Sequence, residues 1–206
     1  MKIPHLLAMT ALVALLSSPA FAQDAAVDGQ VKVNAATEAQ RDVNQQERIE
    51  SGLKSGELNT HEAAKLEAGE SRIDHAEAHA EKDGTVSAAE KARIEKMQNN
   101  ESKAIASQKH DAQKGNPDSK SSERMQKDVA RDANQEKRIN EGLKSGELTK
   151  TEASKMEREQ SQTDRKEAKA GKNGKISAGE QVKVQKKESV DSAKIYNKKH
   201  NHKKRS

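Results

Sequence analysis

The sequence predicts an all-α protein built of two tandem three-helix hairpin units with disordered termini. Three observations predict this. Residues 41–113 and 131–203 align at a constant offset of 90 without a gap, and 32 of the 73 aligned positions are identical. A self-similarity of that period marks a duplicated structural unit. A Ser/Thr/Asn-x-x-Glu signal that starts helices occurs at Asn59–Glu62, Ser87–Glu90, Thr149–Glu152 and Ser177–Glu180, at matching places in both copies. Apolar residues between these signals recur at helical spacing.

Residues 1–22 read as a signal peptide. Lys2 supplies the positive start, Leu6–Leu16 an apolar run, and Ala20-Phe21-Ala22 a small-x-small site, which predicts cleavage before Gln23. The run is too short to span a bilayer. The chain contains no Cys, so it has neither a lipid attachment thiol nor a disulfide. The expected setting is periplasmic or secreted. Residues 23–36 are small and polar and read as a disordered N-terminal segment.

The first unit is predicted over 37–113. Its first helix carries Ala39, Val43, Ile49 and Leu53, and Gly52 is expected to end it, with Gly56 supplying the turn. Leu58 precedes the Asn59 cap and faces Ala63 as a hydrophobic staple. The second helix, about 60–82, carries Ala63, Leu66, Ile73, Ala76 and Ala80. Gly84 turns the chain, and Ser87 caps a third helix with Ala92, Ile94, Met97, Ala104 and Ile105. Residues 114–122, with Gly115-Asn116-Pro117, form a linker. The second unit, 123–197, repeats the plan with Gly142, Gly146, Leu148, Thr149, Gly174, Ile176 and Ser177. A basic tail, 198–206, follows.

Large apolar residues are scarce. After the leader, Leu, Ile, Val and Met number 24 in 184 residues, and Tyr196 is the one aromatic residue. Such a composition lies near the boundary of intrinsic disorder and predicts a thin core. Charge is split between the units. Residues 23–118 carry 13 Lys+Arg against 19 Asp+Glu, a net of −6, and residues 119–206 carry 24 against 14, a net of +10. The split suggests that the acidic unit docks on the basic one, within or between molecules.

The run Asn-Gln…Arg-Ile…Gly-x-x-Ser-Gly-x-Leu-Thr-x-x-Glu, closed by Ile195-Tyr196-Asn197-Lys198-Lys199-His200, resembles a group of uncharacterised exported bacterial helical-repeat proteins. The first copy departs at its close, with Ile105-Ala106. The resemblance implies export and helical hairpins, and no activity.

Three binding chemistries have candidate residues. Read as the sixth position of an EF-hand loop, Gly84 places Ser87 ninth and Glu90 twelfth, but His79 falls at the first ligand position; the loop supplies too few oxygens for calcium. His75 and His79, four apart on one helix, could face one ion with Asp74, Glu81, Asp83 and Glu90 nearby, a candidate Ca or Zn site. The second copy has Arg165 and Lys169 there. Lys198, Lys199, Lys203, Lys204 and Arg205 form a candidate polyanion site for anionic envelope polymers. No nucleophile motif or phosphate loop is present, so the chain reads as non-enzymatic, with no cofactor. The leading expectation is an envelope interaction protein, chaperone-like or buffering, with protein or peptide partners and self-association. Binding of divalent cations and of polyanions are the alternatives.

Overall fold

The computed structural model describes residues 21–201, with side chains described from Ala35 onward. Most of the leader, and Lys203, Lys204 and Arg205 of the basic tail, lie outside the described residues. The fold is all-α. In chain order the helices are α1 Phe21–Ser55, α2 Thr60–Ala80, α3 Ala88–Lys109, α4 Lys120–Ser145, α5 Lys150–Gly171 and α6 Ala178–Lys199. No described helix is long and apolar enough to cross a membrane.

The helix starts follow local chemistry. All four predicted capping boxes form. At the first, Glu62 N donates to Asn59 Oδ1 at 3.0 Å and Asn59 N donates to Glu62 Oε2 at 2.9 Å. Each box satisfies two amides that a helix N-terminus would otherwise leave without partners. Leu58 and Leu148, one residue before their caps, are buried with Ala63 and Ala153.

Two expectations are corrected. Residues 23–36, expected to be disordered, lie within α1, which starts at Phe21. No proline interrupts this stretch, and Ala35, Ala36 and Ala39 share an apolar cluster with Ile139, Leu143, Leu148 and Ile195. Gly52 and Gly142, expected to end their helices, lie inside them. The helices continue to Ser55 and Ser145, and the left-handed positions are Gly56 and Gly146, both at φ +74°. Gly52 has a packing role instead. A Cβ there would lie 2.7 Å from Leu58 Cδ1, because Leu58 folds back over the helix end and its N–H donates to Gly52 O at 2.9 Å.

Gly56 and Gly146 offer an internal comparison. An alanine at either must adopt a left-handed backbone, at about 1–2 kcal/mol. At Gly56 the new Cβ also meets Gly115 O at 3.0 Å, whereas at Gly146 nothing lies within 4 Å. We expect Gly56→Ala to lower the melting temperature more than Gly146→Ala, as thermal denaturation followed by circular dichroism would show. Equal losses would mean that the linker contact contributes nothing.

Within each unit consecutive helices run antiparallel, so α3 lies parallel to α1 and α6 to α4. The same tie appears twice: Arg48 Nη1 donates to Ser102 Oγ at 2.6 Å and Arg138 Nη1 to Ser192 Oγ at 2.7 Å. The units do not stand apart. α2 lies antiparallel on α5, and α1 on α4, to form a central four-helix layer flanked by α3 and α6. Ser71 and Ser161, 90 residues apart, mark the crossing. Ser71 Oγ donates to Ser161 O at 2.7 Å and Ser161 Oγ to Ser71 O at 2.8 Å. The duplicated units are thus related by a pseudo-twofold axis through this pair.

The units meet, but opposite surface charge is not the main means. Lys137 pairs with Glu47 across α4 and α1 at 2.5 Å. Most of the contact is interior. One apolar cluster fills one end of the bundle, with Ile49, Leu53, Leu58, Leu66, Met125 and Val129 at its centre. The other end is filled by Ala35, Ala39, Ile139, Leu143, Met156 and Ile195. Between these two plugs the interior is acidic.

Candidate metal centre

The acidic interior follows from a stripe that runs through every helix. On α2, Glu67, Glu70, Asp74, Glu77 and Glu81 are spaced three and four apart, so they share one face. α5 repeats it with Glu157, Gln160, Asp164 and Glu167. α1 contributes Glu38, Asp42, Gln45 and Gln46, and α4 contributes Asp128, Asp132, Gln135 and Glu136. α3 adds Gln98 and Glu101, and α6 adds Glu188 and Asp191. All of these side chains are buried. Eighteen Asp and Glu are buried among the described residues; setting aside the capping residues Glu62 and Glu152 leaves sixteen. No Lys, Arg or His is buried to the same degree among the described residues.

Two places draw three carboxylates together. Glu67 of α2, Asp132 of α4 and Glu167 of α5 each place an oxygen within 4.8 Å of the others, and so do Asp74, Glu136 and Glu157 from the same three helices. In the first triad, Glu67 Oε2 accepts from Gln46 Nε2 at 3.1 Å. The other five carboxylate oxygens have no donor except a proton shared among the acids themselves. In the second, Glu136 Oε2 and Glu157 Oε2 lack donors in the same sense, as do both oxygens of the neighbouring Asp164. Buried polar groups are nearly always satisfied in folded proteins, so a concentration of unsatisfied acceptors calls for a donor or a cation.

The electrostatic environment points the same way. Burial pushes the carboxyls of Glu67, Glu167, Asp74, Glu157 and Asp164 well above the usual carboxylate range, and their main neighbouring charges are further carboxylates that push the same way. Burial likewise raises Glu136, again with surrounding carboxylates adding to it. It raises Asp132 to about 7, although a proton shared with Glu167 draws it down. Among the described residues, cationic side chains approach only from the edges. Arg131 Nη1 stands 3.1 Å from Glu188 Oε2, and Lys187 Nζ 2.6 Å from Asp191 Oδ1. Glu188 is still raised to about 9, by burial first and then by Asp132.

The residues singled out from sequence are not gathered into one site. His75 and His79 are exposed and line a surface groove of about 400 Å³ with Glu90, Arg72, Arg93 and Arg165. Glu90 is committed to its cap, accepting from Ser87 N at 2.9 Å and Ser87 Oγ at 2.6 Å. Asp83 Oδ1 accepts from Thr85 N and Thr85 Oγ1, both at 3.0 Å. Both carboxyls are held below their ordinary values by these bonds. Glu81 faces the interior, where burial and then the Glu38 charge raise it to about 8. The candidate site is thus split between the two sides of α2, and three arginines share the histidines' side. Of the tail, Lys199 is engaged with its own unit, 3.3 Å from Glu147 and 3.7 Å from Glu141, and Lys198 also has a partner.

Sequence reasoning named Asp74 and Glu81 beside the histidines but missed the other buried carboxylates. A signal existed. Glu67, Asp74 and Glu77 recur unchanged as Glu157, Asp164 and Glu167, while the neighbours His75 and His79 become Arg165 and Lys169. No family model, curated protein or solved structure matches this chain.

Proposed function

We propose that the protein binds hard cations of the calcium class inside the helical bundle. The observation that carries this reading is the Glu67–Asp132–Glu167 triad, fully buried, with five of its six oxygens unsatisfied. A hard cation takes oxygen ligands at about 2.3–2.6 Å, so oxygens within 4.8 Å of one another can surround one ion. Among the described residues the interior offers carboxylate and amide oxygens and no imidazole or thiolate. That donor set suits calcium, magnesium or manganese over zinc or copper. It also differs from the carboxylate–histidine sites of bundle proteins that hold two irons. The Asp74–Glu136–Glu157 triad is the second site.

The helices supply the positions. Each triad draws one ligand from α2, one from α4 and one from α5, and α2 and α5 are fixed together at Ser71 and Ser161. The apolar plugs at both ends keep water away and hold the acids in a medium where a cation's attraction is strong. The cation replaces the protons that burial forces on to the carboxyls, so binding releases protons. The function is sequestration or buffering of cations, without catalysis. The leader-like Leu6–Leu16 run supports an exported setting, in the periplasm or outside the cell.

The protein-partner reading has less surface to draw on. The large apolar side chains exposed among the described residues are Val182, Val190 and Tyr196, all on α6.

Isothermal titration of the metal-stripped protein at pH 6, where its buried carboxyls still hold protons, is the test. Ca2+ is expected to bind at two ions per chain with proton release, seen as a buffer-dependent heat. An equal concentration of Zn2+ should compete weakly. No heat, and no rise in melting temperature with Ca2+, Mg2+ or Mn2+, would exclude the proposal.

A further inference from the structure

The duplication supplies most buried acid positions twice, and the copies differ at four, Gln46/Glu136, Glu70/Gln160, Glu81/Gly171 and Gln98/Glu188. The Glu67–Asp132–Glu167 triad lies beside Glu188. Moving each residue by 90 positions through the pseudo-twofold axis gives Glu157, Asp42, Glu77 and Gln98. The counterpart of Glu188 is therefore an amide. It is fully buried, and it is committed: Gln98 Nε2 donates to Asp42 Oδ1 at 2.9 Å, to Glu77 Oε1 at 3.0 Å and to Glu38 O at 3.2 Å. Gln45 Nε2 holds the Gln98 backbone by donating to Gln98 O at 2.8 Å.

Resting on the cation reading above, we infer that the Gln98 amide is a built-in substitute for a cation, closing a third site between Asp42 and Glu77 that the duplication would otherwise create. An –NH2 group placed between two carboxylates supplies the positive density a cation would bring, without charge and without an exchangeable ligand. Glu188 in the other half has no donor hydrogen to offer when ionised, and so leaves its triad dependent on an ion. The two halves thus divide the work: α3 faces an acid pair that accepts from its Gln98 amide, and α6 faces a cation-dependent triad. The apolar frame around both is the same, since Gln98 and Glu101 lie between Ile94 and Ile105 as Glu188 and Asp191 lie between Val184 and Ile195.

The experiment counts bound Ca2+ by equilibrium dialysis of the full mature chain at pH 8, with helicity checked by circular dichroism in saturating Ca2+. Gln98→Glu is expected to bind one more Ca2+ per chain than the wild type. Asp42→Asn in the wild-type background is expected to leave the wild-type number unchanged. The inference is overturned if folded Gln98→Glu gains no ion, or if Asp42→Asn loses one, since the third site would then be occupied already. Should Gln98→Glu fail to fold, the Asp42→Asn count decides. If the wild type itself binds no Ca2+, the cation reading falls, an outcome distinct from both of these.

Discussion

The cation-free protein is expected to lose stability as pH rises from about 4 to about 9, and Ca2+ is expected to restore it. The sign follows from the raised carboxyls. An unfolded carboxyl titrates near 4. In the folded, cation-free chain burial moves Asp42 to about 6, Glu38, Glu101, Asp128 and Asp132 to about 7, Glu81 to about 8 and Glu188 to about 9. The folded state therefore holds protons that the unfolded state has released. Stability is fully present below the unfolded values and is lost as pH climbs towards and through the folded ones. Every tenfold difference in proton affinity between the two states corresponds to about 1.4 kcal/mol. Glu81 alone, raised from 4.5 to about 8, removes on the order of 5 kcal/mol by pH 8. That is comparable with the whole stability of an ordinary domain, about 5–15 kcal/mol. Metal-stripped protein should therefore melt cooperatively at pH 5–6 and be largely unfolded by pH 9. A ligand at a hundred times its dissociation constant adds about 2.7 kcal/mol per site. Thermal melts with chelator and with Ca2+, across that pH range, would show the two curves diverging upward in pH. Parallel curves would mean that the acids and the cation are unconnected.

Asp132→Asn is expected to separate stability from binding. The substitution keeps shape and removes a fully buried charge whose two oxygens have no donor but a proton shared between acids. In the cation-free protein at pH 8 the variant should be more stable than the wild type by a few kcal/mol, because an ionised, unsatisfied group has left the interior. For a chain of this length each kcal/mol is about 2–4 °C in melting temperature. In Ca2+ the order reverses. The triad loses a charged ligand, and affinity at that site should fall about a hundredfold. A variant that is less stable in chelator would point to a structural hydrogen bond at Asp132. One that binds Ca2+ as the wild type does would remove Asp132 from the site.

Much of the fold was legible because it is written locally. A capping box spans four residues, and a left-handed glycine ends a helix whatever lies around it. Asn59, Ser87, Thr149 and Ser177 therefore each start a helix where expected. What a sequence states less plainly is which face of a helix turns inward. Glu67, Glu70, Asp74, Glu77 and Glu81 form a helical stripe as regular as any apolar one, and an acidic stripe ordinarily faces water. Here α5 covers it, and that is a fact of packing between residues some 90 positions apart. The thin apolar content pointed to a thin core. The chain instead has a wide interior that is apolar at its ends and acidic between them.

The site was missed for the same reason. His75 and His79 drew attention by residue type, yet they lie on the outer side of α2, among arginines. The acids that meet inside are common residue types with no short motif. Their mark is repetition: Asp42, Glu67, Asp74 and Glu77 return as Asp132, Glu157, Asp164 and Glu167, while exposed positions between them change charge. The net charges of −6 and +10 likewise differ mainly through Lys and Arg, 13 in the first unit against 24 in the second, and so reveal little about where the acids lie.

Crystals grown with Tb3+, an oxygen-seeking ion close to calcium in size, would locate bound cations directly through anomalous scattering. The account predicts two strong peaks inside the bundle, one among Glu67, Asp132 and Glu167 and one among Asp74, Glu136 and Glu157. Peaks confined to the surface, beside His75 and His79 or the exposed carboxylates, with the interior free of any ion, would contradict it.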